Sequence, residues 1–264
     1  MSKEQNIKLY KAAYEYLKEI TPKDVVLENY FLGDNRDFES LEDIYVRFIF
    51  SAQNYQYMPN VIKYEQREPK IKEILFGYKI QKISELSPDE LYENFRDKFN
   101  VTRDSRKKEM NCWYKWSCSI IDSAKFLSGF KDASDFDEFV KRFNYNTSSR
   151  IALPLLIATK IKGIGFALAC DLLKELGYTY YPKPDAHMTD VFHGIGLCEE
   201  DPISVFETIE RIATDCRTVD DSVTPYKVDK VFWLICSGNF YKENLSIKRH
   251  KAALIELLKN EMTK

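Results

Sequence analysis

Apolar residues recur along this chain at spacings of three and four. Leu41, Ile44, Tyr45, Phe48 and Ile49 keep that rhythm, as do Phe136, Phe139, Val140 and Phe143. Ile203, Phe206, Ile209, Ile212 and Ala213 repeat it, and so do Val228, Val231, Phe232 and Ile235. Such spacing puts the residues on one face of a helix, whereas a half-buried strand would alternate every second residue. The opening stretch MSKEQNIKLYKAAYEYLKEI is polar and helical in pattern, unlike a secretory leader. Nine glycines and nine prolines in 264 residues leave few turn-formers, which favours long helices over a many-stranded sheet. The pattern predicts an all-α protein of ten or more helices, and without a fixed-period repeat a solenoid is not expected.

Composition narrows the picture further. With 44% hydrophobic residues, the chain is large enough to bury a core in one large or two modest domains. The longest apolar run, Ile151 to Ala158, is interrupted by Pro154 and falls short of the roughly 20 residues a bilayer span needs. A cytoplasmic protein without a membrane partner is expected. Cys112, Cys118, Cys170, Cys198, Cys216 and Cys236 form no CxxC pair and no Cys/His cluster, so reduced, mostly buried thiols are expected rather than a disulfide framework or a zinc site.

Net charge first argues against a nucleic-acid partner: 39 Lys and Arg against 41 Asp and Glu give −2, with no overall basic footprint. Its distribution weakens that inference. Between Gly196 and Asp221 eight acids face two bases, a local −6, so the rest of the chain carries +4. Basic stretches lie at Lys63 to Lys82, Arg103 to Lys115 and Lys242 to Lys251. Each is equally compatible with an ordinary solvated helix face.

The most informative segment runs from Leu155 to Gly177, LLIATKIKGIGFALACDLLKELG. It reads as a helix, a tight Gly163-Ile164-Gly165 turn, and a second helix ended by Gly177. Two glycines one residue apart permit positive φ and a close ligand, and the second helix starts with unpaired N–H groups suited to a phosphate. A plain helix–turn–helix corner would carry the same residues. Beyond Gly177, YTYYPKPDAHMTDVF puts Asp185 at the entrance to another helix, where an aspartate is a good N-cap.

A GIG hairpin followed, 20 residues after Gly165, by a Pro-Asp-x-His helix start resembles the helix-hairpin-helix-GPD superfamily of DNA glycosylases, whose equivalent acid is catalytic. Phe48 to Tyr55, FIFSAQNY, is similar to the segment of those enzymes in which an amide fills the hole left by a flipped nucleotide. Gln53 or Asn54 would be that wedge, although an amide at a helix start also serves as a solvated cap. Thr224 to Leu234, TPYKVDKVFWL, resembles the late helix that walls the base pocket in the 8-oxoguanine branch. The matches follow one another in the family's order over much of residues 45 to 240.

The resemblance implies two helical lobes with a DNA and base-binding cleft between them. One lobe spans residues 40–184 and ends in the hairpin; the other joins residues 1–39 to 185–264 and carries Asp185. It implies a monomer acting on double-stranded DNA, with Asp185 stabilising positive charge on the sugar of an extruded nucleotide and orienting or deprotonating water. Lys162, Gly163, Ile164 and Gly165 would grip the DNA backbone, and His187 would orient that backbone or the acid, although it is equally at home as a packed helix-start residue. Family members that also cut the strand carry a lysine two residues after the second hairpin glycine. Here that residue is Ala167, which points to a water-using enzyme that leaves an abasic site, unless Lys160, Lys162, Lys174 or Lys183 reaches the sugar instead. No cofactor is required. A structural Na+ or K+ would sit on the carbonyls of Thr159, Ile161 and Ile164, and the absence of cysteines after Cys236 excludes the iron–sulfur cluster of the endonuclease III branch.

Substrate identity stays open. Trp113, Trp116, Tyr226, Phe232 and Trp233 could stack on a base or form core. Asp229 and Trp233, four apart on one helical face, could read a base edge and stack on it, or Asp229 could pair with a surface lysine. The Asp-x-His-Met run leans towards oxidised bases and Ala167 towards alkylated ones, and a bulky modified base also fits. The alternatives to an enzyme are a non-catalytic helix-hairpin-helix DNA-binding protein and an α-helical protein-interaction domain. Under the enzyme reading, the acidic run Gly196 to Asp221 is expected to face away from DNA.

Overall fold

The computed structural model of the chain describes residues 1–33, 38–101 and 108–263; positions 103–107 of the basic stretch Arg103 to Lys115 lie outside them. Among the described residues the protein is all-α apart from one two-residue pair of strands. It forms two compact units, Met1–Asn35 with Gly177–Lys264, and Arg36–Leu176. Among the described residues no helix is long and apolar enough to cross a membrane.

The first unit opens with α1 (Lys3–Ile20) and the single turn α2 (Glu28–Phe31). Ser2 and Gln5 cap α1 reciprocally, each side chain taking the other's backbone N–H, which satisfies two amides that a helix start leaves unpaired. Leu9, Tyr10, Ala13 and Leu17 then form its buried face. The second unit follows with α3 (Leu41–Gln53), α4 (Met58–Ile62), α5 (Tyr64–Ile74), α6 (Ile80–Ser84), α7 (Pro88–Phe99), α8 (Cys112–Leu127), α9 (Ala133–Arg142), α10 (Thr147–Lys160) and α11 (Phe166–Glu175). The chain returns to the first unit for α12 (Ala186–Gly194), α13 (Pro202–Cys216), α14 (Pro225–Ser237), strands β1 (Asn239–Phe240) and β2 (Leu245–Ser246), paired antiparallel, and α15 (Lys251–Thr263).

The apolar repeats read from the sequence supply the inner faces of α3, α9, α13 and α14, except that Ile203 at the start of α13 is exposed and Phe139 and Phe143 are only partly buried. In the second unit α3 packs on α8, and Trp116 fixes their register by donating its indole N–H to the Ile49 carbonyl at 2.8 Å. Phe95 stacks on Trp116 and Trp113 packs against both rings, so Trp113 and Trp116 are core residues. Burial of each such side chain contributes about 1.5–3 kcal/mol. In the first unit α1, α13, α14 and α15 surround a core that includes Phe192 and Phe232, with ring centroids 4.9 Å apart. Residues 177–184, read from the sequence with the hairpin, pack in this unit: the Tyr226 N–H donates to the Thr179 carbonyl at 3.0 Å. The six cysteines are free thiols, all buried except the partly exposed Cys198.

Candidate functional site

In the second unit α10 ends at Lys160, and the chain turns through Ile161 to Gly165 before α11 begins. The turn is fastened to α8 at two points. Lys162 donates its N–H to Asp122 Oδ2 at 3.0 Å, and Ser119 Oγ donates to the Lys162 carbonyl at 2.6 Å. Gly163 has φ +88°, and a Cβ there would lie 2.7 Å from Ser119 Oγ, so both backbone and space require glycine. Gly165 differs. Its φ is an ordinary −85° and nothing lies within 4 Å of a Cβ placed on it. It heads α11 without a side-chain cap, so the positive end of the helix dipole is open towards the turn. Ile164 is buried and Lys162 exposed, so one residue anchors the turn while its neighbour presents a charge. Ala167 lies in the first turn of α11. Thr159 and Ile161 close α10, and the Ile161 carbonyl accepts the Ile164 N–H at 3.2 Å.

Gln53 and Asn54 stand at the end of α3, not at a helix start as expected. The helical period continues through Ser51 and Ala52, both buried, and carries Gln53 inward to 4% exposure. Its Oε1 has no hydrogen-bond partner among the described residues. Asn54 caps the helix by donating its N–H to the Ser51 carbonyl at 3.0 Å. Both residues line a cavity of about 340 Å³ with Phe50, Asn60, Lys63 and Tyr64.

In the first unit Asp185 is the N-cap of α12. Both of its helix bonds fall on one oxygen: Oδ1 accepts the N–H of His187 at 2.8 Å and that of Met188 at 3.3 Å. No described residue donates to Oδ2. Burial raises the Asp185 pKa above its ordinary 3.8, and the carboxylate of Asp229 raises it further, while the Lys183 charge, the Met188 N–H and His187 pull the other way. Asp229, on α14, is 1% exposed and accepts the Lys183 N–H on Oδ2 at 2.9 Å. It is therefore buried and not on the surface: α14 turns this residue towards the segment leading into α12. His187 is half-buried, its Nδ1 lacks a partner among the described residues, and burial pushes its pKa down, against the pull of Asp185.

The structure thus brings Asp185, His187, Lys183 and Asp229 together. Trp233, also on α14, belongs to an aromatic group around Lys230. There the buried Lys230 ammonium lies 5.5, 5.7 and 4.9 Å from the ring centres of Tyr226, Trp233 and Tyr241, and donates to the Tyr241 hydroxyl at 2.9 Å. Of the lysines considered for attack on the sugar, Lys174 is buried in an ion pair with Asp171 at 3.1 Å, a poor state for a nucleophile. The contact of the Lys183 backbone with Asp229 spans 46 residues and leaves no mark in the sequence. Cys236 is buried and its pKa pushed up to about 12, with Asp185 and Lys251 among the charges acting on it, so it remains a thiol.

The chain matches no protein-family model, no curated protein and no solved structure.

Proposed function

We propose that this chain is a DNA N-glycosylase that uses water and leaves an abasic site. In this reading its two units are the two helical lobes of that architecture, and α10, the glycine turn and α11 are its helix-hairpin-helix. The observation that carries the reading is Asp185: a half-buried carboxylate held at a helix start through one oxygen, with the other uncommitted and a second acid raising its pKa. Such a group is a stronger base than an exposed aspartate and stabilises nearby positive charge. As the C1′–N bond of an extruded nucleotide breaks, its electron pair leaves with the base and the sugar becomes oxocarbenium-like. Asp185 stabilises that cation and takes a proton from the water whose oxygen bonds C1′; that proton is returned through solvent to the departing base, so one water supplies the sugar hydroxyl and the hydrogen on the base. In the second unit, the exposed Lys162 and the uncapped start of α11 bind a DNA phosphate.

The test is base release from duplexes carrying oxidised, alkylated, deaminated or hypermodified bases, with Asp185→Asn in parallel. The expected result is release of one class by the wild type and a loss of about 10³-fold in the variant with duplex binding retained. Wild type that binds duplex but releases no base makes the chain a non-catalytic DNA-binding protein, and absence of salt-dependent binding removes DNA altogether. Borohydride is expected to trap no covalent adduct, because Ala167 occupies the position of the family's attacking lysine.

A further inference from the structure

From the end of β2 to the first residue of α15 the chain reads Ile247-Lys248-Arg249-His250-Lys251. This loop is fixed to the C-terminal end of α14 by its backbone. Ile247 donates its N–H to the Gly238 carbonyl at 2.8 Å, and His250 to the Ile235 carbonyl at 3.1 Å. Gly238 has φ +66°, and a Cβ there would lie 2.5 Å from the Ile247 carbonyl oxygen and 2.9 Å from that of Lys248, so the loop lies hard against α14. His250 is held once more, its Nδ1 bonded to the Tyr16 hydroxyl at 2.8 Å.

The loop also adjoins the helix that begins with Asp185. Lys251 pairs with Asp190 of α12, and Ile255 of α15 lies 3.5 Å from the Cβ position of Gly194, at the other end of α12. Arg249 and Lys251 are near enough to His187 that both disfavour its protonation. Between Asn239 and Lys251 the sequence holds four cations and one acid. Two of the cations are engaged internally, Lys242 on the Asn29 carbonyl and Lys251 on Asp190. Lys248 and Arg249 are exposed, and no acidic side chain among the described residues pairs with either. A backbone-fixed pair of unneutralised cations beside a site for a polyanion's sugar is suited to a phosphate.

Resting on the glycosylase reading, we infer that Lys248 and Arg249 form a phosphate clamp, which binds the DNA backbone next to the nucleotide presented to Asp185. The clamp gives the Asp185 unit its own hold on DNA, independent of the glycine turn.

The experiment compares wild type, Lys248→Ala/Arg249→Ala, and a control carrying Lys11→Ala/Lys259→Ala, two other exposed lysines of the same unit. Binding to unmodified duplex DNA is measured across a salt series, and base release on the substrate panel at saturating enzyme. The loop variant is expected to lose roughly tenfold in affinity and to flatten the log K against log salt slope by about one per cation removed. The control keeps both the slope and the base release of wild type. An unchanged slope in the loop variant, or an equal change in the control, overturns the clamp and leaves the glycosylase reading intact if wild type still releases a base. Tighter binding of duplex RNA than of DNA overturns the assigned partner. Wild type without salt-dependent duplex binding overturns clamp and glycosylase reading together.

Discussion

Two helix starts in this molecule solve the same problem in opposite ways. At α12 the free N–H groups of the first turn are taken by Asp185, which brings a negative charge into a half-buried position beside Asp229. At α11 the cap position is Gly165, which has no side chain to offer, and the turn before it is held rigid from outside by Ser119 and Asp122. One helix supplies its own anion, and the other has none. Under the proposed function the capped start positions an acid for chemistry and the bare one binds phosphate.

The most severe way to break the comparison is to neutralise the acid without removing the cap. Asparagine at 185 keeps an oxygen for the His187 and Met188 amides, so α12 persists while base release falls by about 10³-fold. Stability is expected to move the other way. Burial and Asp229 raise the Asp185 pKa, so the folded chain holds this proton more tightly than the unfolded one. The stability that protonation contributes is present at low pH and is lost as pH rises from about 3.8 through the raised value. Asp185→Asn abolishes that loss, and calorimetry at neutral pH should show a higher Tm than wild type.

The two turn glycines should separate stability from binding. Gly163→Ala puts a methyl against Ser119 at positive φ and is expected to cost about 1–3 kcal/mol, lowering Tm by about 2–4 °C per kcal/mol. Gly165→Ala meets no protein atom and should change stability by no more than about 1 kcal/mol, yet reduce duplex affinity roughly tenfold by holding the phosphate off the backbone. Equal effects of the two substitutions on both readouts would remove the distinction between a strained anchor and an open approach. Ser119→Ala, which frees the Lys162 carbonyl, is a milder probe of the anchor at about 1 kcal/mol.

The smallest expected effect concerns pH. Burial and Asp229 raise the Asp185 pKa, so if its carboxylate form is the active one, as the proposed function requires, base release should fall on the acid side through a limb lying above 3.8. Asp229→Asn removes the neighbouring charge while an amide oxygen can still accept the Lys183 N–H, so the limb should move to lower pH. A limb that stays in place would mean that burial alone sets the Asp185 pKa.

Much of this was legible from the chain. Ser2 with Gln5, Ser40 with Asp43 and Ser87 with Glu90 are capping boxes, each visible as a serine with a carboxylate or amide three residues on. The turn at Gly163 to Gly165 and the cap at Asp185 were visible because glycine and aspartate have few local substitutes. The fate of Gln53 was not: Ser-Ala-Gln resembles a helix start, and only the persistence of the apolar phase from Leu41 shows that the helix is ending. Asp229 was harder still. A carboxylate four residues from Trp233 has a definite face, but the direction of that face depends on Lys183, which approaches from another segment through its backbone.

The unit that carries Asp185 is built from the two ends of the described chain, with Arg36–Leu176 inserted between them. During synthesis α1 therefore emerges long before α13 and α15, the helices it packs against. At about 5–20 residues per second that wait lasts about 10–50 s. The inserted unit is one contiguous stretch and has emerged whole by then. The turn at Gly163 to Gly165 can thus have all of its own unit around it on a nascent chain in which Asp185 still lacks α14 and α15.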